Sequence, residues 1–122
     1  MRTPLALLAL SLLGACRSAP SSDRALYFPD LGKFHRPVTT SSAEAQRYFD
    51  QGLLLCFAFN HEEAIRSFEE AARLDPKFAM AYWGIALANG PHINNAEMDE
   101  AHSKAPFAAA QKATALSAGC TP

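Results

Sequence analysis

The triplet His61-Glu62-Glu63 contains the residue types of a metal or acid–base site. A zinc site of the H-E-x-x-H type needs a second histidine four residues after the first, and that position holds Ile65. Carboxylates are also favourable in the first turn of a helix, where they face the positive end of the helix dipole. The sequence therefore predicts that the triplet is a turn and the start of a helix, with no catalytic role.

The other histidines could bind a ligand only if the fold brings them to one place. His35, His92 and His102 have no ligand spacing. The segment 91–103 could nevertheless form a metal or small-ligand site from four side chains: His92, Asp99, Glu100 and His102. No serine or threonine has the neighbours that activate a nucleophile. We expect no enzyme activity, no cofactor and no metal, and we retain ligand binding by residues 91–103 as the alternative.

Two cysteines lie outside the N-terminal segment. Cys56 is in an apolar run and Cys120 is near the last residue. Neither belongs to a C-x-x-C pair for zinc or redox chemistry, nor to a haem-binding C-x-x-C-H. A disulfide between them could form in an oxidising compartment, but it requires their Cα atoms to lie within about 7 Å. We expect a buried free thiol at Cys56, with a disulfide as the alternative.

Length and charge limit the class of protein. The 122 residues suffice for one domain, and 49% of them are apolar, which is enough to build a core. The 11 basic and 12 acidic side chains nearly cancel. Because nucleic-acid binding proteins carry a strong basic surface, we expect no nucleic-acid partner.

The N-terminal segment has the composition of an export signal. Arg2 supplies a positive start, residues 5–13 form a short apolar run, and small residues follow. The run is too short to cross a bilayer, which needs about 20 apolar residues. Residues 1–15 are therefore predicted to be a cleavable signal.

The end of this signal, Leu13-Gly14-Ala15-Cys16, resembles the lipobox of bacterial lipoproteins. The resemblance implies that Cys16 is lipidated and that acyl chains anchor the protein to the cell envelope. In that family Arg17, in place of an aspartate after the cysteine, implies the outer membrane, facing the periplasm. An ordinary signal with an incidental cysteine is the alternative.

Two segments without helical signals follow. Residues 16–25 are polar and small, which predicts a flexible tether. Residues 26–40 contain Pro29, Gly32 and Pro37, which interrupt a helix, but they are rich in aromatic side chains. We expect an extended lead-in (residues 26–40) that packs on the domain.

Helical signals begin at Ser41. Ser41 and Glu44 have the spacing of a capping box, and apolar residues follow at helical intervals. Asn60 is expected to cap a second helix. Asp75 is expected to cap a third, with Pro76 at its first position.

The third helix is expected to end near Asn89, because Gly90 and Pro91 follow it. A loop, or a loop with a helical turn, is expected over 90–103. A fourth helix is expected over 105–119, with Pro106 in its first turn or kinking it. No segment alternates between apolar and polar residues as a strand would. The predicted fold is all-α, with about four helices.

The sequence also contains an internal repeat, because the aromatic pairs beginning at Tyr48 and Tyr82 are 34 residues apart. Large aromatic, small and proline residues at these intervals resemble the tetratricopeptide repeat, a helix-turn-helix unit. The resemblance implies a short α-solenoid with repeat 1 over 45–78 and repeat 2 over 79–118. The residues that carry it, and that are expected to pack the repeats, are Tyr48, Gly52, Leu55, Ala64, Phe68, Ala71, Pro76, Tyr82 and Ala86.

In the resembled family, the first helix of each repeat lines a concave groove that binds peptides. Transferred by register, the groove residues are Gln46, Phe49, Leu53, Cys56, Phe57, Met80, Trp83 and Leu87. An exposed apolar face of this kind marks an interface. The alternatives are that the lead-in fills the groove, or that further repeats bury it.

Repeats of this type bury their faces by stacking, and roughly three or more are usual. Two units imply that the lead-in or a partner covers the open face, or that the chain is a piece of a longer array. The sequence thus predicts a membrane-anchored, non-catalytic tetratricopeptide scaffold that binds a protein or peptide in the bacterial cell envelope.

Overall fold

A computed structural model of the chain describes residues 24–120, and within this range it is all-α. The four helices are α1 (Ala43–Phe57), α2 (His61–Leu74), α3 (Ala79–Asn89) and α4 (Glu100–Leu116), and a short 3-10 helix (Ser117–Gly119) follows α4. No strand is present in the described range, so the predicted fold class is confirmed. The predicted export signal and Cys16 lie outside the described residues.

Each helix packs mainly against the next one along the chain. α1 contacts α2, α2 contacts α3, and α3 contacts α4, with a smaller contact between α1 and α3. The connections before α2 and α3 are short, which makes neighbours in sequence neighbours in space. None of the helices in residues 24–120 is long and apolar enough to span a membrane.

The core is centred on three fully buried phenylalanine rings. The ring centroid of Phe49 lies 5.7 Å from that of Phe68 and 5.3 Å from that of Phe78. Phe68 belongs to α2 and also faces Gly52 of α1 and Gly84 of α3. The helices approach closely here because neither glycine has a side chain, and the ring of Phe68 fills the space.

α1 begins one residue later than the capping-box pattern indicates. Its N-cap is Ser42, whose hydroxyl accepts a 3.1 Å hydrogen bond from the amide of Ala45. The backbone amide of Ser41, the predicted cap, instead donates a 3.1 Å hydrogen bond to the Asp75 carboxylate. The prediction of a box at Ser41 and Glu44 is therefore wrong, because a tertiary hydrogen bond holds Ser41.

The predicted start of α2 after Asn60 is confirmed, whereas the predicted start of α3 needs correction. Asn60 stands at the N-cap of α2, but its side chain makes no capping hydrogen bond. Pro76 lies in a turn, and α3 begins at Ala79. The Asp75 carboxylate accepts from the amide of Lys77 over 3.1 Å, so it stabilises this turn and does not cap a helix.

α4 begins earlier than predicted, so the loop after α3 is shorter. Asp99 is its N-cap and accepts a 2.8 Å hydrogen bond from the amide of His102. Pro106 lies inside the helix and is buried, beyond the first turn. A proline there removes one backbone hydrogen bond, which is why the sequence suggested a helix starting at 105.

The lead-in contains no helix or strand and lies along α1. The side-chain amide of Gln51 accepts from the amide of Phe28 over 2.7 Å and donates to the carbonyl of Leu26 over 2.8 Å. Its nitrogen also donates to the hydroxyl of Ser67 on α2, over 3.0 Å. One buried side chain of α1 therefore joins the lead-in to the helical core.

A second attachment of the lead-in is at Asp50. This carboxylate is 2.8 Å from Nδ1 of His35 and accepts from the amide of Arg36 over 3.1 Å. Gln46 donates to the carbonyl of Arg36 over 2.8 Å. These contacts explain why Asp50 is buried on α1 although it is charged, since buried carboxylates need hydrogen-bond donors.

Candidate functional site

The predicted groove does not form on α1. Phe49 and Leu53 are 0% and 2% exposed, and they belong to the core together with Phe78. A partner cannot contact them without unfolding the domain. This part of the groove prediction is wrong because α2 and the start of α3 cover the face of α1 that was expected to be open.

The other predicted groove residues on α1 have separate environments. Gln46 is bonded to the lead-in, at the carbonyl of Arg36 and the amide of Val38. Cys56 is partly buried. Phe57 is 66% exposed at the end of the helix.

The exposed apolar face lies on α3. Trp83 and Leu87 are 40% and 42% exposed, and Met80 is partly buried. These residues are three and four positions apart, so they share one face of the helix. Apart from Phe57 at the end of α1, they are the part of the predicted groove that a partner can reach.

A cleft of about 420 Å³ separates this face from the end of α4. Its lining consists of small or apolar side chains and two hydroxyls, and none of them is charged: Ala79, Met80, Trp83, Ala113, Thr114, Ser117 and Cys120. An uncharged cleft favours an apolar side chain over a carboxylate. The contribution of α4 was not predicted, because the resemblance assigned the groove only to the first helix of each repeat.

A second, polar cleft of about 440 Å³ lies at the loop between α3 and α4. It is lined by Asn89, Gly90, Pro91, Asn95, Glu97, Met98, Asp99 and His102. The loop is closed by paired backbone hydrogen bonds of 2.9 Å between His92 and Asn95. This is the segment that the sequence indicated as an alternative ligand site.

The structure does not assemble the four metal-ligand candidates of this loop. His92 stacks on His61, with ring centroids 4.2 Å apart. His102 instead pairs with Asp99, where Nδ1 and Oδ1 are 2.7 Å apart. Between residues 24 and 120, no three His, Cys, Asp or Glu side chains are arranged to hold a metal ion.

His61 is the first residue of α2, where the sequence analysis placed it. Its Nδ1 is 3.9 Å from Sγ of Cys56, and its buried Nε2 has no hydrogen-bond partner. Burial, and then the neighbouring His92, lower the pKa of His61. Burial raises the pKa of Cys56, so the thiol stays protonated and is a poor nucleophile. Cys56 and Cys120 are both free thiols.

Together these observations define a small all-α protein with an uncharged cleft between α3 and the end of α4, and a polar cleft at the loop between α3 and α4. Comparison with protein-family models, with curated proteins and with solved structures finds no match for the chain.

Proposed function

We propose that this chain is a non-catalytic scaffold of the tetratricopeptide type, lipid-anchored in the bacterial cell envelope, that binds a protein partner. The observation that carries the proposal is the uncharged cleft between α3 and the end of α4, with Trp83 exposed beside it. Tryptophan is enriched among the residues that dominate binding energy at protein interfaces.

The repeat architecture is supported by how the patterned residues pack. Ala64, Phe68 and Ala71 of α2 are all fully buried, and these are the positions at which the repeat pattern places its Ala, Phe and Ala. Each helix contacts the next one in the chain, as stacked helical hairpins do. Gly52 supplies the close approach that the pattern requires of its small residue.

The anchor is supported by residues 1–16. An apolar run over 5–13 leads to Leu13-Gly14-Ala15-Cys16, the arrangement that resembles a lipobox. Lipidation of Cys16 with two or more acyl chains would anchor the protein stably. Arg17, in place of an aspartate after the cysteine, favours the outer membrane, facing the periplasm, by the same resemblance. Mass spectrometry of the mature N-terminus tests this directly.

The partner is expected to be a peptide or protein segment that inserts a large apolar side chain. The cleft offers no charged group to bind a peptide carboxylate. Burial of apolar area must therefore supply the affinity, at about 25 cal/mol per Å² of surface removed from water.

Site-specific photo-crosslinking in isolated envelopes tests the cleft. A crosslinker at Leu87 should capture a discrete partner, and Trp83→Ala should reduce that product at least tenfold, as for a hot spot worth more than about 1.4 kcal/mol. The matched control is a crosslinker at Ile93, which is 85% exposed on the loop. Equal products at both positions, or a product that survives Trp83→Ala, would contradict the proposal.

A second candidate function, small-ligand binding, is favoured by the polar cleft of about 440 Å³ at the loop. In this case the repeats would serve as a platform. Deleting residues 91–98, which lie outside both helices, should abolish any ligand-induced rise in melting temperature. A polar ligand that stabilises the deleted and the parent chain equally would exclude this cleft.

A further inference from the structure

The lead-in exposes an unusual number of large apolar side chains for a segment that is firmly attached. Leu26 is 65% exposed, Tyr27 44%, Leu31 39% and Phe34 41%. The same segment is held to α1 by hydrogen bonds at Gln51 and at other positions. These side chains are therefore exposed on an attached segment, and a cluster of exposed apolar side chains marks an interaction site.

Cationic groups border the same apolar side chains. A shallow depression of about 150 Å³ between the lead-in and α1 is lined by Tyr27, Leu31, Lys33, Phe34 and Arg47, among others. The guanidinium of Arg47 lies over the Tyr27 ring, 5.2 Å from its centroid. We call these five residues the lead-in surface.

The negative charge near this surface is largely neutralised. Asp50 also lines the depression, but it is only 8% exposed and is paired with His35 and the amide of Arg36. Over residues 26–40 the remaining carboxylate is Asp30, against Lys33 and Arg36. Glu44 and Glu70 are near Tyr48, on which Tyr27 packs. Around Leu31 and Phe34 the cations Lys33, Arg36 and Arg47 outnumber the exposed carboxylate of Asp30.

The lead-in surface is also close in sequence to the proposed anchor. Cys16 precedes Arg24 by eight residues, which span at most about 28 Å when fully extended. Aromatic side chains favour the headgroup region of a bilayer, and neighbouring lysines and arginines are attracted to anionic lipids. An anionic membrane surface fits this combination of apolar side chains, cations and a short tether.

We infer that the lead-in surface lies on anionic phospholipid headgroups, so that the domain is docked on the membrane and does not move freely on its tether. This inference depends on the proposed lipidation of Cys16. Leu31 and Phe34 supply apolar contact at the headgroup level, and Lys33 and Arg47 face the lipid phosphates.

The test is amine labelling of the mature, lipidated protein in reconstituted vesicles. Labelling of Lys33 is measured relative to Lys104, an exposed lysine of α4, in vesicles containing phosphatidylglycerol and in purely phosphatidylcholine vesicles. The acyl chains anchor the protein equally in both kinds of vesicle. Any difference in Lys33 labelling is therefore due to the lipid headgroups. We expect Lys33 to be labelled at least about fivefold more slowly in anionic vesicles, the effect of one cation next to an anionic surface.

Variants test whether the slower labelling of Lys33 depends on the lead-in surface. Leu31→Ser combined with Phe34→Ser should restore Lys33 labelling to the rate in phosphatidylcholine, and Ile93→Ser on the distant loop should not. High salt should also restore it, because salt screens exposed charges. All three residues are exposed, so these changes leave the core intact.

The outcomes that overturn the inference are distinct from those that overturn the anchor. Equal Lys33 labelling in both vesicles rules out an anionic membrane, and strong protection in both indicates a second copy of the chain or a peptide on this surface. Either result leaves a lipidated Cys16 in place. A mature chain without lipid on Cys16, seen by mass spectrometry, overturns the anchor and this inference together.

Discussion

The ring of Phe68 occupies the space in which Gly52 would carry a side chain. A Cβ atom built on Gly52 would lie 2.6 Å from Cε1 of that ring, and one built on Gly84 would lie 2.5 Å from Cδ1. Phe68 is itself 0% exposed. Three successive helices therefore meet at one aromatic ring, and the absence of two side chains permits the contact.

Gly52→Ala and Gly84→Ala should each destabilise the domain. A methyl group at either position forces the buried ring to move, at a cost of about 1–3 kcal/mol. Alanine regains about 0.5–1 kcal/mol of helix propensity relative to glycine. We expect a net loss of up to about 2.5 kcal/mol in the free energy of unfolding, measured by urea denaturation with circular dichroism.

Gly119→Ala is the matched control, because nothing lies within 4 Å of the added Cβ there, and it should leave stability unchanged or slightly higher. The double variant with Gly52→Ala and Phe68→Leu should lose less stability than the sum of the two single losses, since the smaller side chain relieves the clash. Additive effects of the two changes would show that the ring and the glycine are not coupled.

Gln51→Ala should release the lead-in without unfolding the helices. The variant loses both hydrogen bonds that join the side chain to Phe28 and Leu26, each worth about 0.5–1.5 kcal/mol. Trypsin should then cleave after Lys33 at least about tenfold faster, which corresponds to about 1.4 kcal/mol. Gln111→Ala, on the exposed surface of α4, should not change the rate. An unchanged rate in Gln51→Ala would mean that other contacts hold the lead-in.

Asp75 should make the stability of the domain depend on pH in the acidic range. Its hydrogen bond from Thr40, over 2.6 Å, and those from Ser41 and Lys77 hold its pKa below the ordinary 3.8. The folded carboxylate thus resists protonation more than the unfolded one does. Its contribution is present above about pH 4 and is lost as pH falls through the lower folded pKa.

Asp75→Asn should therefore lower the free energy of unfolding by about 1–3 kcal/mol at pH 7, and the difference from the parent chain should shrink towards pH 2.5. Urea denaturation across this pH range measures both quantities. Asp30→Asn, an exposed aspartate of the lead-in, should change stability by no more than about 0.5 kcal/mol. A difference between Asp75→Asn and the parent that is constant with pH would refute the role of ionisation.

His61 should make the domain less stable in mild acid. Burial, and then His92, hold its pKa below the ordinary 6.5, so the unfolded chain binds a proton more readily than the folded chain. Stability is then highest above about pH 6.5 and is lost as pH falls through the lower folded pKa. NMR titration of the imidazole resonances should place the midpoint of His61 below 6.5.

His92→Ala is the informative variant, because it removes the stacked ring at 4.2 Å and leaves α2 unchanged. The midpoint of His61 should rise towards 6.5 but not reach it, since burial is the larger cause. A His61 midpoint at or above 6.5 in the parent chain would show that the ring is solvated.

Local sequence patterns were sufficient to predict the all-α fold class and most of the helices. The periodic apolar residues of α1 and α2 and the Gly90-Pro91 stop after α3 act through neighbouring backbone groups, so they can be recognised without tertiary information. The helix end at Asn89 agrees with this pattern. The close approach at Gly52 was also foreseeable, because a glycine inside an otherwise helical segment usually has a packing reason.

The exposure of the predicted groove residues could not be predicted from their positions in the repeat pattern alone. Phe49 and Trp83 have equivalent positions in the repeat pattern, yet the first is fully buried and the second is 40% exposed. The difference arises because α2, Phe78 and Phe68 surround Phe49, whereas the corresponding side of α3 ends at an open cleft. Neither residue by itself indicates how many helices pack against it.

The sequence by itself determined that this protein is built from helices, because helix periodicity, caps and breakers are local properties. Only the tertiary structure decided that Ser42 and not Ser41 caps α1, since the competing acceptor, Asp75, is distant in sequence. It also decided that α4 passes through Pro106. Contacts between distant residues outweigh local preferences in these places. The hydrogen bond at Ser41 contributes about 0.5–1.5 kcal/mol, and the packing of α4 on α3 offsets the roughly 3 kcal/mol that a proline costs inside a helix.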